Sequence, residues 1–563
     1  MTELRAHTIE ELTAPGSLFP LVERVVDGKT LQLYDRDPRT LRDAFLHTRD
    51  FGSEDAVVYE GERYTFAEQY DIVLRLAHQL HGRLGVGKGD RVAIAMRNYP
   101  EWIFSFWATQ VLGAVAIPIN AWLAGAELAG ILTDCRPDVL IADEERIERM
   151  MAAGARPVTL RTVIGVRCRQ ILPDVIPFEE LASTPPPDDS FPAAEVTAED
   201  VSTILFTSGT TGRAKGVIGR HFNHSASLLN KLIRNYTRPL PVDADLSTLG
   251  RPPASNKLTT YPFFHIAGLN TLYSATYSGH KMVLMYKWDV QEALRIMEAE
   301  QINEMAGAPF VVQGLLDAIK VSDRDVSHLT SLGLGGSASP TQLILDIHET
   351  FEGRVDARTG YGLTETTSGV VAIAGRNWVE RPGSVGTALP TAVIAAMGED
   401  GAILAPGEVG EIVIRGPQVV TGYENLPEET AEAFRDGWFR TGDLGRIDPD
   451  GYVYIVGRLK DLVIRGGENI VSAEVELCLV NHPDVVEAAV VGMPHPSLGE
   501  EPAAIVRLRQ GASAGESELR AWVSHHLAAF KVPVRIVFVD EPLPRTASGK
   551  LVKQSLAASL APR

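Results

Sequence analysis

Hydrophobic runs and polar punctuation alternate along this chain in a way that predicts strands and helices in turn. "VVYEGERYT" (57–65) reads as two short strands around Gly61, and Thr65 with Glu68 makes a capping-box pair opening a helix to about Arg83. Apolar runs follow: "RVAIAM" as a buried strand, "PEWIFSFWATQVL" as a helix, "AVAIPI" as a strand, "LAGAELAGILTD" as a helix and "DVLIAD" as a strand. Strands separated by helices of this length over 57–143 predict a parallel, doubly wound sheet. "STPPPDDSFPAAE" (183–195) reads as a surface linker, after which a second α/β stretch runs to about residue 380. From Pro382 to Gly457 the strands are short and split by Gly, Pro and Asp, which predicts a small β-barrel or sandwich. After "GRLKD" (457–461) mixed strands and helices return. The expected fold is α/β: a large N-terminal domain (1–457) of two doubly wound α/β subdomains plus a small β-barrel, then a small α+β domain (458–563).

Composition narrows the function. Apolar residues make up 45% and charged residues 22% of 563, an ordinary globular balance. A formal net charge of −19 argues against nucleic acid or an anionic membrane as the main partner. Cys135, Cys168 and Cys478 lie far apart with no C-x-x-C, as thiols of a reducing, cytoplasmic compartment do. The opening "MTELRAHTIEELTAPGS" has no apolar signal-peptide core. No charge interrupts Trp102–Ala126, a stretch long enough to span a bilayer, but Ser105, Thr109, Gln110, Gly113, Pro118 and Asn120 break it; a buried helix and a short strand are expected.

The densest chemistry is "LFTSGTTGRAKGV" (205–217), a strand running into a loop of glycines and hydroxyls with Arg213 and Lys215. Such a loop aims backbone N–H groups and hydroxyls at one point, a nest suited to a polyphosphate. It is not a Walker A loop, since Gly212 lies three residues before Lys215 and Gly216 follows. "GRLGVGK" (82–88) has half of that pattern, but Gly89 stands where the hydroxyl belongs, and the loop follows a helix; a helix cap and turn explain it.

The loop at 205–217 resembles the signature of the adenylate-forming enzymes, the group of acyl- and aryl-CoA synthetases, firefly luciferase and nonribosomal-peptide adenylation domains. Further resemblances follow in the family's order: "YPFFHIAGLN" (261–270) to the acyl-pocket motif, "TGYGLTE" (359–365) to the adenine and magnesium motif, "RTGDLG" (440–445) to the ribose motif, "GRLKDLVIRGGENI" (457–470) to the hinge, and "PRTASGK" (544–550) to the segment ending in the family's lysine. The resemblance implies an AMP-forming acid–CoA ligase using ATP, Mg²⁺ and coenzyme A. It implies small-molecule partners, allows a homodimer, and makes the C-terminal domain mobile about Lys460.

It also implies roles. Thr207, Ser208, Gly209, Thr210, Thr211, Gly212 and Lys215 would wrap the β- and γ-phosphates. Gly336, Ser337 and Ala338 would border adenine, with Gly360, Tyr361 and Gly362 alongside and the Tyr361 ring offered to the base. Thr364 would serve the α-phosphate, Glu365 the Mg²⁺, and Asp443 with Arg458 the ribose. Lys550 would bridge carboxylate and α-phosphate. Phe264, His265, Gly268, Phe310, Gly333 and Gly335 would line the acyl pocket, His265 also counting among the catalytic residues. Gly466, Gly467 and Glu468 would flank the pantetheine arm.

Blander readings stand beside these: His265 as a satisfied core residue, Asp443 as a turn residue, the Gly466–Gly467 pair as a hairpin turn. Tyr261–Asn270 contains no carboxylate to pair an α-ammonium, so an uncharged acyl group is expected: a fatty, aromatic or polycyclic acid. Rival readings are a ligase loading a carrier-protein phosphopantetheine, a luciferase-like oxygenase, and a nucleotide-binding regulator without turnover.

Overall fold

The computed structural model describes residues 4–5, 8–154, 157–170, 172–207, 214–234, 236–237, 240–241, 254–336, 339–466, 468–545, 551–553, 556 and 560. The hairpin expected at 57–65, β1 (Asp55–Tyr59) and β2 (Glu62–Thr65), turns at Gly61, whose φ of 93° suits glycine. Thr65 and Glu68 exchange the expected capping bonds at the head of α1 (Phe66–His78).

Seven strands then form a sheet: β3 (Arg91–Ala95), β4 (Val115–Pro118), β5 (Val139–Asp143), β6 (Thr162–Val166), β7 (Val175–Pro177), β8 (Val201–Thr207) and β9 (Lys215–Arg220). Their order is β7-β6-β5-β3-β4-β8-β9, parallel throughout except for the β8–β9 hairpin. Between β3 and β4 runs α2 (Pro100–Val111), and every one of its residues is buried. That accounts for the absence of charge after Glu101, which pairs with Arg167: the helix is covered by protein on all sides. No helix among the described residues is long and apolar enough to cross a membrane.

The second sheet is larger. After α3 (His221–Ile233) come β10 (Asn256–Thr259), α4 (Ile266–Ser278), β11 (Lys281–Leu284), β12 (Glu304–Gly307), α5 (Pro309–Ile319), β13 (Ser331–Leu334), β14 (Asp356–Leu363), β15 (Ser368–Ala374) and β16 (Thr387–Ala388). The nine-stranded order is β16-β15-β14-β13-β12-β10-β11-β1-β2. The hairpin β1–β2 thus belongs here, β1 running parallel to β11 with Val57 opposite Met282. The expectation that 57–143 builds one sheet is corrected: partners are chosen by long-range register and packing, which neighbouring sequence does not encode. Between the sheets, Trp102 of α2 lies 5.0 Å from Phe263 and Phe106 lies 5.7 Å from Tyr273 of α4.

Where a small barrel is expected, five antiparallel strands occur: β17 (Val393–Met397), β18 (Gly410–Arg415), β19 (Phe434–Arg435), β20 (Trp438–Ile447) and β21 (Val453–Arg458). β20 pairs with β18 on one side and with both β19 and β21 on the other. The chain ends in an α+β unit: β22 (Leu462–Arg465), β23 (Glu468–Val471), α6 (Ser472–Val480), β24 (Val485–His495), β25 (Gly499–Leu508), α7 (Glu516–His526) and β26 (Arg535–Phe538). Its order is β23-β22-β25-β24, with β26 parallel beside β25.

Candidate active site

In each large sheet one central strand is flanked on both sides by strands that follow it in the chain: β3 by β4 and β5, β10 by β11 and β12. Crevices for ligands open beyond the carboxyl ends of such strands. Those two ends are joined. Asn98, just past β3, donates from Nδ2 to the Tyr261 carbonyl at 2.9 Å and accepts at Oδ1 from the Phe263 N–H at 3.0 Å. The acyl-pocket motif is therefore held by the opposite sheet.

Within that motif the Phe264 ring meets Trp122 edge-on at 5.4 Å, and the Arg97 guanidinium lies 4.6 Å over the Trp122 ring. His265 is the N-cap of α4, its Nδ1 accepting from the Ala267 N–H at 3.2 Å. Gly268 is buried, and a Cβ there would run into the Pro262 carbonyl. Gly333 and Gly335 follow one another along β13 and beyond it, the N–H of Gly335 donating to the Gly307 carbonyl at 3.2 Å. Phe310 departs from expectation. It is 48% exposed, because Pro309 starts α5 and turns Val312 and Leu315 to the core while Phe310 faces out.

The "TGYGLTE" segment supplies β14 and the turn after it. Tyr361 donates its hydroxyl to Asp443 Oδ2 at 2.6 Å, and Arg458 Nε lies 2.8 Å from Oδ1. Asp443 is 3% exposed and directly opposite Arg458 across β20–β21. Three motifs thus converge on one carboxylate. Burial, with the Asp443 charge beside it, pushes the Tyr361 phenol well above its ordinary range, so it stays a hydrogen-bond donor. Gly360 is exposed; Gly362 admits no side chain, since a Cβ there would strike the Ser368 carbonyl. Thr364 and Glu365 sit half-buried on a single 3₁₀ turn, Thr364–Thr366.

Glu365 Oε1 accepts from the Tyr423 hydroxyl at 2.9 Å, and Lys215 Nζ lies 4.9 Å over the ring of that same Tyr423. The segment carrying Tyr423 extends β9: Val217 bridges Tyr423, and the Glu424 N–H donates to the Gly216 carbonyl at 2.7 Å. The phosphate-type loop is thereby tied to the metal-type carboxylate. Thr207 and Lys215 face each other as the last pair of the β8–β9 hairpin. Ser208, Gly209, Thr210, Thr211 and Gly212 lie outside the described residues, as do Ser337, Ala338, Gly467 and Lys550; Gly336, at φ 86°, is exposed.

At the C-terminal end, Lys460 occupies a 3₁₀ turn (Leu459–Asp461), its ammonium shifted down by burial and by the nearby Arg458 and Lys553. Gly466, at φ 60°, makes the β22–β23 turn, and its N–H donates to the Leu498 carbonyl at 2.7 Å; Glu468 is exposed. This hairpin packs on its own domain through Arg465 and Glu501, 3.3 Å apart. A different arm reaches across. Arg545 lies 5.2 Å over the Phe310 ring while pairing with Glu487 at 2.6 Å, so the C-terminal unit touches the start of α5 here.

Asn98 and Tyr423 were not legible in the sequence as site residues. Each is one polar side chain in a loop, with no spacing signal, and only the fold supplies its partners.

Comparison with known proteins accords with this geometry. Residues 46–424 match the family described as AMP-binding enzyme, and residues 474–550 match its C-terminal domain. A feruloyl-CoA synthase of Amycolatopsis is 36% identical over 502 residues, covering 88% of this chain and 94% of that protein. A long-chain-fatty-acid–CoA ligase, FadD13 of Mycobacterium tuberculosis, is 33% identical over 498 residues, 88% of this chain and 92% of its own. Among solved structures, the o-succinylbenzoate CoA synthetase of Bacillus subtilis with its acyl-adenylate intermediate superposes with a TM-score of 0.76 at 29% identity, covering 91% of this chain and 97% of that one. With both parts matched in order and nearly the full length shared, this chain belongs to the AMP-binding enzyme family.

Proposed function

We propose that the residues gathered around Asp443, Glu365 and Phe264 act together in an AMP-forming acid–CoA ligase. The enzyme is an acid–thiol ligase of ATP, Mg²⁺ and coenzyme A that takes an aromatic or fatty carboxylic acid. A carboxylate oxygen attacks the α-phosphorus of ATP, the bond to the bridging oxygen breaks, and pyrophosphate leaves. The thiol of coenzyme A then attacks the acyl carbonyl, and AMP leaves with the C–O bonding electrons. Both reactants of the first step are anions, so positioning and charge neutralisation carry it.

What supports this reading most is the convergence of Tyr361, Asp443 and Arg458 on one buried carboxylate. Asp443 Oδ2 accepts from Tyr361 while Oδ1 faces the Arg458 guanidinium, and each oxygen keeps a lone pair, which suits the carboxylate to the two hydroxyls of a ribose. The donor chemistry at Glu365 suits Mg²⁺, which keeps its waters and phosphate oxygens and asks for one or two carboxylates, not a protein cage. Among the described residues there is no group of three or more potential ligands. When bound there, Mg²⁺ would screen the charge of the departing phosphates; Tyr423 holds the Glu365 carboxylate in place, and Lys215 brings its own charge to the same corner. His265, fixed as a helix cap, would wall the acyl entrance beside Phe264. Residues 458–563 would form the mobile domain, with Lys460 at the hinge, Gly466, Gly467 and Glu468 toward coenzyme A, and Lys550 bridging carboxylate and α-phosphate. The three cysteines are unpaired, which suits the cytoplasm.

The test is direct. ATP, Mg²⁺ and a suitable acid should release pyrophosphate before coenzyme A is added; ADP and phosphate in its place would overturn the reading.

A further inference from the structure

The second sheet carries charge where a buried sheet face is ordinarily apolar. Leu258, Met305, Leu332 and Ala357 turn to one face and join an apolar cluster with α5. Strand alternation therefore turns Lys257, Glu304, Gly333 and Arg358 to the other face, toward α3 and α4. There the register sets Ala306 beside Gly333 and Gly333 beside Arg358. Gly333 leaves a gap in the row: a Cβ on it would approach that of Ala306 to 2.8 Å. Glu304, Ala306, Gly333 and Arg358 all keep accessible surface although they lie under two helices, so this face borders an internal space.

Lys231 of α3 closes that space. Lys231 keeps some accessible surface, but its ammonium lies deep enough for burial to be the main cause of its lowered pKa. Among the described residues its one hydrogen bond goes to a neutral group, Ser274 Oγ of α4, at 2.8 Å. The nearest carboxylate, Glu304, is engaged by Lys257 at 2.6 Å. Ser274 lies nine residues along α4 from His265, about 13 Å at 1.5 Å per residue. The lysine thus stands well beyond the Phe264–His265 motif along α4, on the side of the sheet where Lys257, Glu304 and Arg358 lie.

We propose that the acid activated by this enzyme carries a second, anionic oxygen group remote from the reacting carboxyl, and that Lys231 receives it. This rests on the ligase reading above. An ammonium drawn in from solvent whose one hydrogen-bond partner among the described residues is a hydroxyl is an incomplete site, and a distal carboxylate completes it with a charge-assisted bond. The lack of a carboxylate in Tyr261–Asn270 argues against a cationic substrate; it does not argue against an anionic one.

The same pocket predicts a pH signature. Burial, with the Lys257, Arg358 and Arg234 cations adding to it and Glu304 opposing, lowers the Lys231 ammonium to about 7. Below that pH it is charged and attracts the anion; above it the attraction is lost.

Acid-dependent pyrophosphate release decides the matter, measured for matched pairs from hexanoate against adipate to laurate against dodecanedioate. The expected result is a kcat/KM ratio favouring the diacid for at least one chain length, falling as pH rises from about 7 to 9. In Lys231→Met that ratio should drop by about 10–100-fold. A ratio indifferent both to pH and to a folded Lys231→Met would overturn the inference and leave the ligase reading standing. Should the variant not fold, the wild-type pH ratio decides alone. Pyrophosphate release from no acid at all would overturn the ligase reading and this inference together.

Discussion

The two large sheets share one architecture and differ in what their strands turn inward. In the first, β4 (VAIP) and β5 (VLIAD) are buried at every position. In the second, β12 (EMAG) and β13 (SLGL) alternate buried and half-accessible residues, and the accessible positions are Glu304, Ala306 and Gly333. At these strands the first sheet is filled, while the second is open on one face and carries charge there. The difference teaches where function resides in a duplicated plan: not in strand order, which both share, but in departures from the apolar rule.

Filling the hollow should have the largest effect. Gly333→Val puts a branched side chain where even a Cβ meets Ala306 at 2.8 Å, and should cut acid-dependent pyrophosphate release by about 100-fold or more. A thermal melt separates a blocked pocket from a lost fold; a folded variant with full activity on bulky acids would mean that the pocket lies elsewhere.

Asp443→Asn keeps the shape and removes the charge that Tyr361 and Arg458 share. Turnover on ATP should fall by about 10–100-fold, chiefly through a raised KM for the nucleotide. An unchanged KM would separate this carboxylate from ribose.

The filled sheet should answer differently. Ile141→Ala, at a fully buried position of β5, should cost about 2–5 kcal/mol of stability, read as a shifted urea midpoint, while kcat/KM of the folded fraction stays as it was. A selective loss of activity would break the contrast between the sheets.

The smallest effect concerns acid. His221 and His224 on α3 are buried neutral, their ring pKa values lowered by burial to about 4 and about 3. In the unfolded chain they titrate near 6.5, so the unfolded state binds more protons below that pH. Stability should be intact above about pH 6.5 and decline as pH falls toward 4, and His224→Leu should flatten that decline in melts taken across the range. An equally steep decline in the variant would assign it to carboxylates.

Local structure was largely legible in the sequence. The capping box at Thr65 and the helix at 100–111 came from periodicity and caps, all of them short-range, while the motif order from Thr207 to Arg458 came from resemblance to the adenylate-forming enzymes. Pairing was not. The hairpin at 55–65 is an ordinary strand pair in sequence, and nothing in it says that β11, more than 200 residues on, is its partner. Lys231 was equally hidden. Within "HFNHSASLLNKLI" it reads as a helix-end lysine on a solvated face, and only the packing of α3 against α4 turns it inward. Phe310 failed in the opposite sense, an aromatic expected inside that the start of α5 turns outward.

The paired hydrogen bonds from Asn98 to Tyr261 and Phe263 carry a lesson for protein engineering. The loop we propose to meet the acid is fastened to a residue more than 150 positions upstream, so it is not a self-contained cassette. Transplanting residues 256–363 into a relative to change its substrate range would move the lining and leave its fastening behind. A graft that carries the 96–99 turn as a second piece should place the loop as it stands here, and a library that diversifies one piece should hold the other constant.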